Sequence, residues 1–323
     1  MGEQRTFAGE AWARKKKVTR REQVLAEMNA VIPWATLTAL IAPHYPTGGK
    51  RGRPPMPLER MLRIYFLQQW FNLSDPAAED ALYDSETMRR FVGVDLGEDA
   101  FADETTILHF RHLLERHQLT EAIFAAVHDL LGTRGIVLKA GTIVDATMIH
   151  APSSTKNATK TRDPEMKQAQ KGKTWYFGMK VHVGTDRQGL VHALHVTDAA
   201  QMDVSQLPHL LHGEERALYG DRAYWSERDR QLCEAAGIRY RVNRRGTPHH
   251  PIPERWRQIN RARSRVRARG EHAFHVAKTL WGFMKVRYRG LAKNTVRAFA
   301  AFALANLYLM RYRLGARAAT CLS

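Results

Sequence analysis

Apolar residues in the first part of the chain recur at three- and four-residue steps, as in LERMLRIYFLQQWF and TTILHFRHLLERH. That period predicts helices from about residue 20 to residue 131. One break interrupts them, PTGGKRGRPPMPLER, where glycines and prolines flank Lys50, Arg51 and Arg53 and Pro57 stands where a helix can begin. A further helix start is signalled at Asp103, with Glu104 in the first turn.

After Gly132 the pattern shortens to β-type runs: TIVDATMI, WYFGMKVHVGTD and GLVHALHVTD. These predict three strands, the last two joined by the turn-rich TDRQG. A helix over 204–211, a strand at RALYGD, a helix over 226–236, a strand at IRYRVN and a long arginine-rich helix from about Pro253 follow. The order βββαβαβα implies an α/β fold with a mixed sheet and helices on its faces. Between the first two strands, residues 151–173 are polar, charged and without apolar periodicity, which predicts a mobile loop. The expected division is a helical domain over 1–131, a catalytic α/β domain over 132–290 and a C-terminal helix over 291–323 packed on it.

Charge changes the picture. Fifty Lys and Arg against 32 Asp and Glu leave a formal net charge of +18, far more than solubility requires, and point to a polyanionic partner such as nucleic acid. Two cysteines, Cys233 and Cys321, give neither a disulfide framework nor a zinc finger and suit a reducing cytoplasm. The apolar run over 296–310 is short and holds Arg297, so it is read as a buried core helix rather than a membrane span.

Three acids are candidates for chemistry. Asp145 interrupts an apolar, β-branched strand, where an unpaired charge would cost several kcal/mol. Asp221 ends a second short strand, LYGD, at the kind of carboxyl edge that lines ligand crevices in open α/β sheets. Glu271 lies in an arginine-dominated helix, four residues after Arg267. Singly, each reads as an ion-paired structural acid. As a set, with no organised Cys/His cluster, they suit a hard cation, Mg²⁺ or Mn²⁺.

The succession TIVDAT, LYGDRAYWS and Arg267, Glu271, Lys278 as R-x3-E-x6-K resembles the DDE transposases of bacterial insertion sequences, more narrowly the insertion sequence five group. RGRPPMPLERMLRIYFLQQWFNLSD and DETTILHFRHLLE resemble that family's N-terminal part, and GLAKNTVRAFAAFALANLYLMRYRL its C-terminal end. The resemblance implies a ribonuclease H-like catalytic core and two metal ions per site. Asp145 would bridge the ions, with Asp221 holding one and Glu271 the other. It also implies cleavage of DNA at inverted-repeat ends, strand transfer into target DNA, a homodimer in the DNA complex and a bacterial, cytoplasmic, nucleoid-associated protein. Related groups often carry a Tyr three positions before the motif Arg; here that position is Ser264.

On a continuous helix Arg267, Glu271 and Lys278 would share one face, so Lys278 is expected to touch a phosphate. Between Arg239 and Arg269 stand eleven Arg and one acid, Glu254, a balance suited to phosphate binding, with Arg263 and Arg265 as named contacts. Trp225, just beyond Asp221, is the candidate for stacking on an unpaired base. A helix-turn-helix-like unit at SDPAAEDALYDSETMRRFVG, with Arg51, Arg53, Arg89 and Arg90 nearby, is expected to recognise the element's ends. Two other readings compete: a ribonuclease H-like nuclease or resolvase without strand transfer, and a DNA-binding regulator whose carboxylates no longer act.

Overall fold

A computed structural model describes residues 12, 14–48, 54–97, 99–137, 141–157, 160–244, 246–247 and 249–320. Arg51 and Arg53 lie outside the described residues.

Among the described residues the N-terminal part holds α1 (Arg20–Val31), α2 (Trp34–Ile41), α3 (Leu58–Trp70), α4 (Asp75–Asp84), α5 (Glu86–Val92), α6 (Glu104–Arg116) and α7 (Leu119–Thr133). Their starts follow local chemistry. Thr19 and Glu22 form a reciprocal capping box at α1. Ser74 and Asp103 accept from the backbone N–H groups of Ala77 and Thr106 at α4 and α6. In the expected helix-turn-helix region, Ser85 ends α4 and caps α5, so the two helices meet at a single residue.

Six strands form one mixed sheet: β1 (Thr142–His150), β2 (Lys167–Lys171), β3 (Thr174–Thr185), β4 (Val191–Asp198), β5 (Ala217–Gly220) and β6 (Arg239–Val242). β1, β3 and β4 pair antiparallel, and β5 and β6 follow in parallel beside β1. This is the ribonuclease H-like order expected above, with one strand added. That strand, β2, lies inside 151–173 and pairs antiparallel with β3, which corrects the expectation of a mobile loop throughout. Its alternation of Lys, Gln and Ala has no apolar face to reveal it; the pairing partner does. The segment expected as a helix over 204–211 is a 3-10 helix, Val204–His209, with Pro208 inside it. α8 (Glu227–Ala235) and α9 (Glu254–Arg267) lie near the expected places.

The last helix, α11 (Leu291–Thr320), runs through the middle of the molecule and packs on α7, α1 and β4. Ala298, Phe302, Leu304 and Leu307 are fully buried on it, as expected for a core helix. Two of its buried polar residues tie it to neighbouring elements. Asn306 donates to Val191 O and accepts from Val191 N, which pins α11 to the start of β4. Buried Arg297 donates to Asn72 Oδ1 after α3 and to Lys285 O. One continuous apolar core therefore joins the N-terminal helices, α11 and one face of the sheet. A smaller core, including Val144, Leu218, Tyr224 and Val242, fills the other face. Among the described residues no single helix is long and apolar enough to cross a membrane.

Candidate active site

The site is built on the row Ile143, Asp145, Thr147 of β1, three side chains that share one face because strand residues alternate. The parallel register pairs Thr142 with Leu218 and Ile143 with Tyr219. Continued by two residues, it brings Asp221, just past the end of β5, level with Asp145. Asp221 is fixed there as the cap of a one-turn 3-10 helix, accepting from Ala223 N at 2.8 Å.

The arginine-rich segment lies across this row. Val266 packs on the small cluster of Ile143, Ala217 and Tyr219. Gly270 sits so close that a Cβ would stand 3.1 Å from Thr185 Oγ1 and 3.2 Å from Ile143 Cγ2. The turn before β4 also presses on the segment: Gly189, at φ 87°, would put a Cβ 2.2 Å from Arg269 O. This crowding coincides with a change of hydrogen-bond spacing along the expected helix, whose backbone stays right-handed helical. After α9 come a 3-10 turn (Ala268–Gly270), a short α10 (Glu271–Phe274) and a π-helical stretch (His275–Leu280).

Arg267 is the centre of the constellation. Its guanidinium lies 3.7 Å from Asp221 Oδ2 and 3.5 Å from Glu271 Oε1, and its charge also acts on Asp145. Asp221 and Glu271 thus share one cation that belongs to the chain, and the charge of that cation reaches Asp145. Among the described residues no three His, Cys, Asp or Glu side chains are grouped closely enough to hold a metal ion. The donor set is nonetheless all carboxylate, the chemistry that hard divalent cations prefer.

Burial pushes the Asp145 carboxyl up to about 6; Arg267 and the Ala146 N–H oppose that rise, and the charges of Asp221 and Glu271 add to it. An acid whose folded pKa is raised binds its proton more tightly in the native state than in the unfolded chain. Native stability is then lost as pH climbs from about 4 to about 6, and the loss persists above that range. Asp145→Asn removes the charge and keeps the shape. It is expected to stabilise the metal-free protein at pH 7.5 by up to about 3 kcal/mol, with the gain vanishing near pH 4. Urea unfolding at both pH values checks this; an unchanged or lower stability at pH 7.5 would contradict it.

Lys278 does not point to open solvent. Its Nζ donates to Thr147 Oγ1 at 2.8 Å and Met148 O at 3.1 Å, which holds the ammonium beside β1 on the acid face. Arg263 donates to Val242 O at 2.6 Å and is half-buried at the end of β6, so that hydrogen bond ties α9 to the sheet. Arg265 is exposed. Trp225 is half-buried and meets Tyr240 edge to face, with ring centroids 5.5 Å apart. The Arg244 guanidinium lies 5.5 Å from the Trp225 ring and 3.6 Å from that of Trp256. Ser264 accepts from Asn243 Nδ2. Arg89 is buried, paired with Glu86 and bonded to Leu82 O and Tyr83 O, while Arg90 also pairs with Glu86; both bind their own helix pair. Sequence reasoning missed Thr147 and Gly270. A glycine inside a helical run was the available sign of close approach.

Two family models match the chain. One, described as a transposase domain (DUF772), covers residues 13–113, and the other, described as a transposase DDE domain, covers residues 138–307. Among solved structures, the chain is similar to the Mos1 strand transfer complex at 13% identity, covering 94% of this chain and 98% of that one, with a TM-score of 0.27. It is similar to a pre-cleavage Mos1 transpososome at 14% identity, covering 95% and 98%, with a TM-score of 0.28.

Proposed function

The chain belongs to the DDE transposases, enzymes that cleave DNA and transfer the cut strand, and on that premise we propose that Asp145, Asp221 and Glu271 are its catalytic carboxylates. The family is generally divalent-metal dependent. Here the three acids would hold two Mg²⁺ or Mn²⁺ ions. When bound, such ions supply Lewis acidity to the attacking and leaving oxygens of an in-line phosphoryl displacement. The observation that carries the assignment is the shared guanidinium. Two of the acids pair with Arg267 and the third feels its charge, although they come from three separate elements.

The chain's own groups divide the remaining work. Asp145 and Asp221 are held by β1 and β5 and by their bonds to Ala146 N and Ala223 N, so two of the three ligands are pre-positioned. Glu271 is more exposed and arrives from the helical side. Arg267 would turn from the acids to a DNA phosphate, exchanging one anionic partner for another. Lys278, already beside Thr147, would steady a phosphate next to the reacting one. Exposed Arg265 suits the backbone farther along the duplex, and Trp225 beside Asp221 suits an unpaired base.

The substrates on this reading are the inverted-repeat ends of an insertion sequence and a target duplex. Residues 1–131 would recognise the ends; two ends handled together require a homodimer in the DNA complex. The test uses purified full-length chain, a duplex carrying the repeats that flank its reading frame, and a pre-cleaved version of it. Nicking that needs Mg²⁺ or Mn²⁺, and joining of the pre-cleaved end to plasmid DNA, are expected. Nicking without joining would indicate a nuclease, and neither would indicate a binding protein.

A further inference from the structure

β2 and the outer half of β3 form a two-stranded ribbon that leaves the body of the sheet. The register runs from Lys167 opposite Gly178 to Lys171 opposite Thr174, and the chain turns at Gly172, where φ is 64°. β3 changes partners at Gly178, which also pairs with His150 at the end of β1. A Cβ at Gly178 would lie 2.1 Å from Ile149 O, so only glycine permits that exchange. Beyond it, Trp175 and Tyr176 pair with β2 alone among the described residues, while Phe177 O also accepts from Ala151 N at 2.8 Å. The base of the ribbon is anchored, with the Tyr176 ring 5.0 Å from that of His150. Its outer part is not covered: Lys167, Gln168, Gln170 and Lys173 are exposed, and Trp175 is 64% exposed. A two-stranded ribbon with water on both faces is marginal by itself and gains stability from whatever it lies against.

We propose that this ribbon is a DNA-binding element that lies in a groove of the duplex, with Lys167 and Lys173 on phosphates and Trp175 against a base or sugar. Residues 167–185 contain no Asp or Glu, so nothing in the ribbon opposes a polyanion. The major groove admits a two-stranded ribbon, and side chains such as Gln168 and Gln170 can meet base edges there. A protein partner would call for an apolar face, whereas Trp175 is the one large apolar side chain exposed on the ribbon. Reach is consistent with the active site. Asp145 pairs with Val183, eight positions before which stands Trp175, about 26 Å away at strand rise. That is about eight base pairs of duplex. The ribbon would therefore touch DNA within about eight base pairs of the scissile phosphate. This inference rests on the assignment of Asp145 to the reacting centre only for that distance.

The experiment compares full-length wild type, Trp175→Ala and Lys167→Ala/Lys173→Ala for binding to a fluorescein-labelled 30-base-pair duplex at two salt concentrations, without metal. Both variants should keep the wild-type thermal midpoint, because the changed side chains are exposed. Each should bind at least about tenfold more weakly. The lysine pair should also flatten the salt dependence by about two units of slope, one per lost phosphate, and Trp175→Ala should leave the slope as it is. A photo-crosslinking residue at position 175 should label the duplex within about eight base pairs of the cut. Unchanged affinity in both folded variants would overturn the proposal. So would intact affinity with an altered oligomeric state of Trp175→Ala, which would assign the ribbon to self-association. If wild type itself binds no duplex, the functional reading fails with it; if wild type binds and the variants match it, only the ribbon's role fails.

Discussion

Asp145→Ala, Asp221→Ala and Glu271→Ala are each expected to reduce metal-dependent nicking and end joining by on the order of a thousandfold or more, while duplex affinity stays near wild type. The size of the loss follows from the proposal that the three acids act as one unit. Removing one ligand from a shared cation site dismantles the whole electrostatic arrangement, so double variants should be no worse than singles. Affinity should survive because it comes from basic side chains distributed over the surface of a chain with net charge +18. Folding should survive too: Glu271 is largely exposed, and Asp145 loses a charge that burial already disfavours. Single-turnover nicking beside filter binding of the same preparations measures both quantities. Wild-type nicking by any one variant would remove that residue from the site.

Phe302→Ala should cost about 3–5 kcal/mol of unfolding free energy, the range for deleting a fully buried aromatic ring. Phe302 stands on α11 within the core that joins the N-terminal helices to the sheet, and its ring meets that of Phe274, edge to face at 5.8 Å, just after the candidate ligand Glu271. Its loss should therefore be felt on both sides of α11. Urea unfolding followed by far-ultraviolet circular dichroism and by tryptophan fluorescence should show one shared transition, displaced to lower urea in the variant. Tyr312→Ala on the same helix, at an exposed position, should shift it by less than about 1 kcal/mol. Two separate transitions in the wild type would mean that the shared core does not couple the helical region to the sheet.

Much of the fold was legible because the information is local. Three- and four-residue periodicity, the caps at Ser74 and Asp103 and the β-branched runs around Asp145 are each set by a few neighbouring residues. Two of the candidate acids were legible for another reason. A carboxylate inside an apolar strand, as at Asp145, or at a strand's end, as at Asp221, carries a desolvation cost that needs an explanation at any fold position; Glu271, exposed in a basic helix, stood out only by its spacing from Arg267 and Lys278. The 3-10 helix in place of a longer helix at 204–211 shows the limit of local pattern, since Pro208 lacks the N–H that a continuing helical ladder needs there.

By itself, then, the sequence determined the element types, the identity of the candidate ligands and the basic character of the surface, because propensity, burial cost and charge belong to residues and their near neighbours. Only the tertiary structure decided which cations are committed and to what. Arg263 is drawn to Val242 O, Lys278 to Thr147, more than a hundred residues back, and Arg267 to two acids from different elements. It decided that the helical segment 254–280 switches from α to 3-10 and π hydrogen-bond spacing where Gly270 and Gly189 bring it close against β1 and the β3–β4 turn. It also turned a polar stretch with no pattern of its own into β2, because a strand exists through the hydrogen bonds of its partner, and that partner is fixed by β3 outgrowing β1 at Gly178.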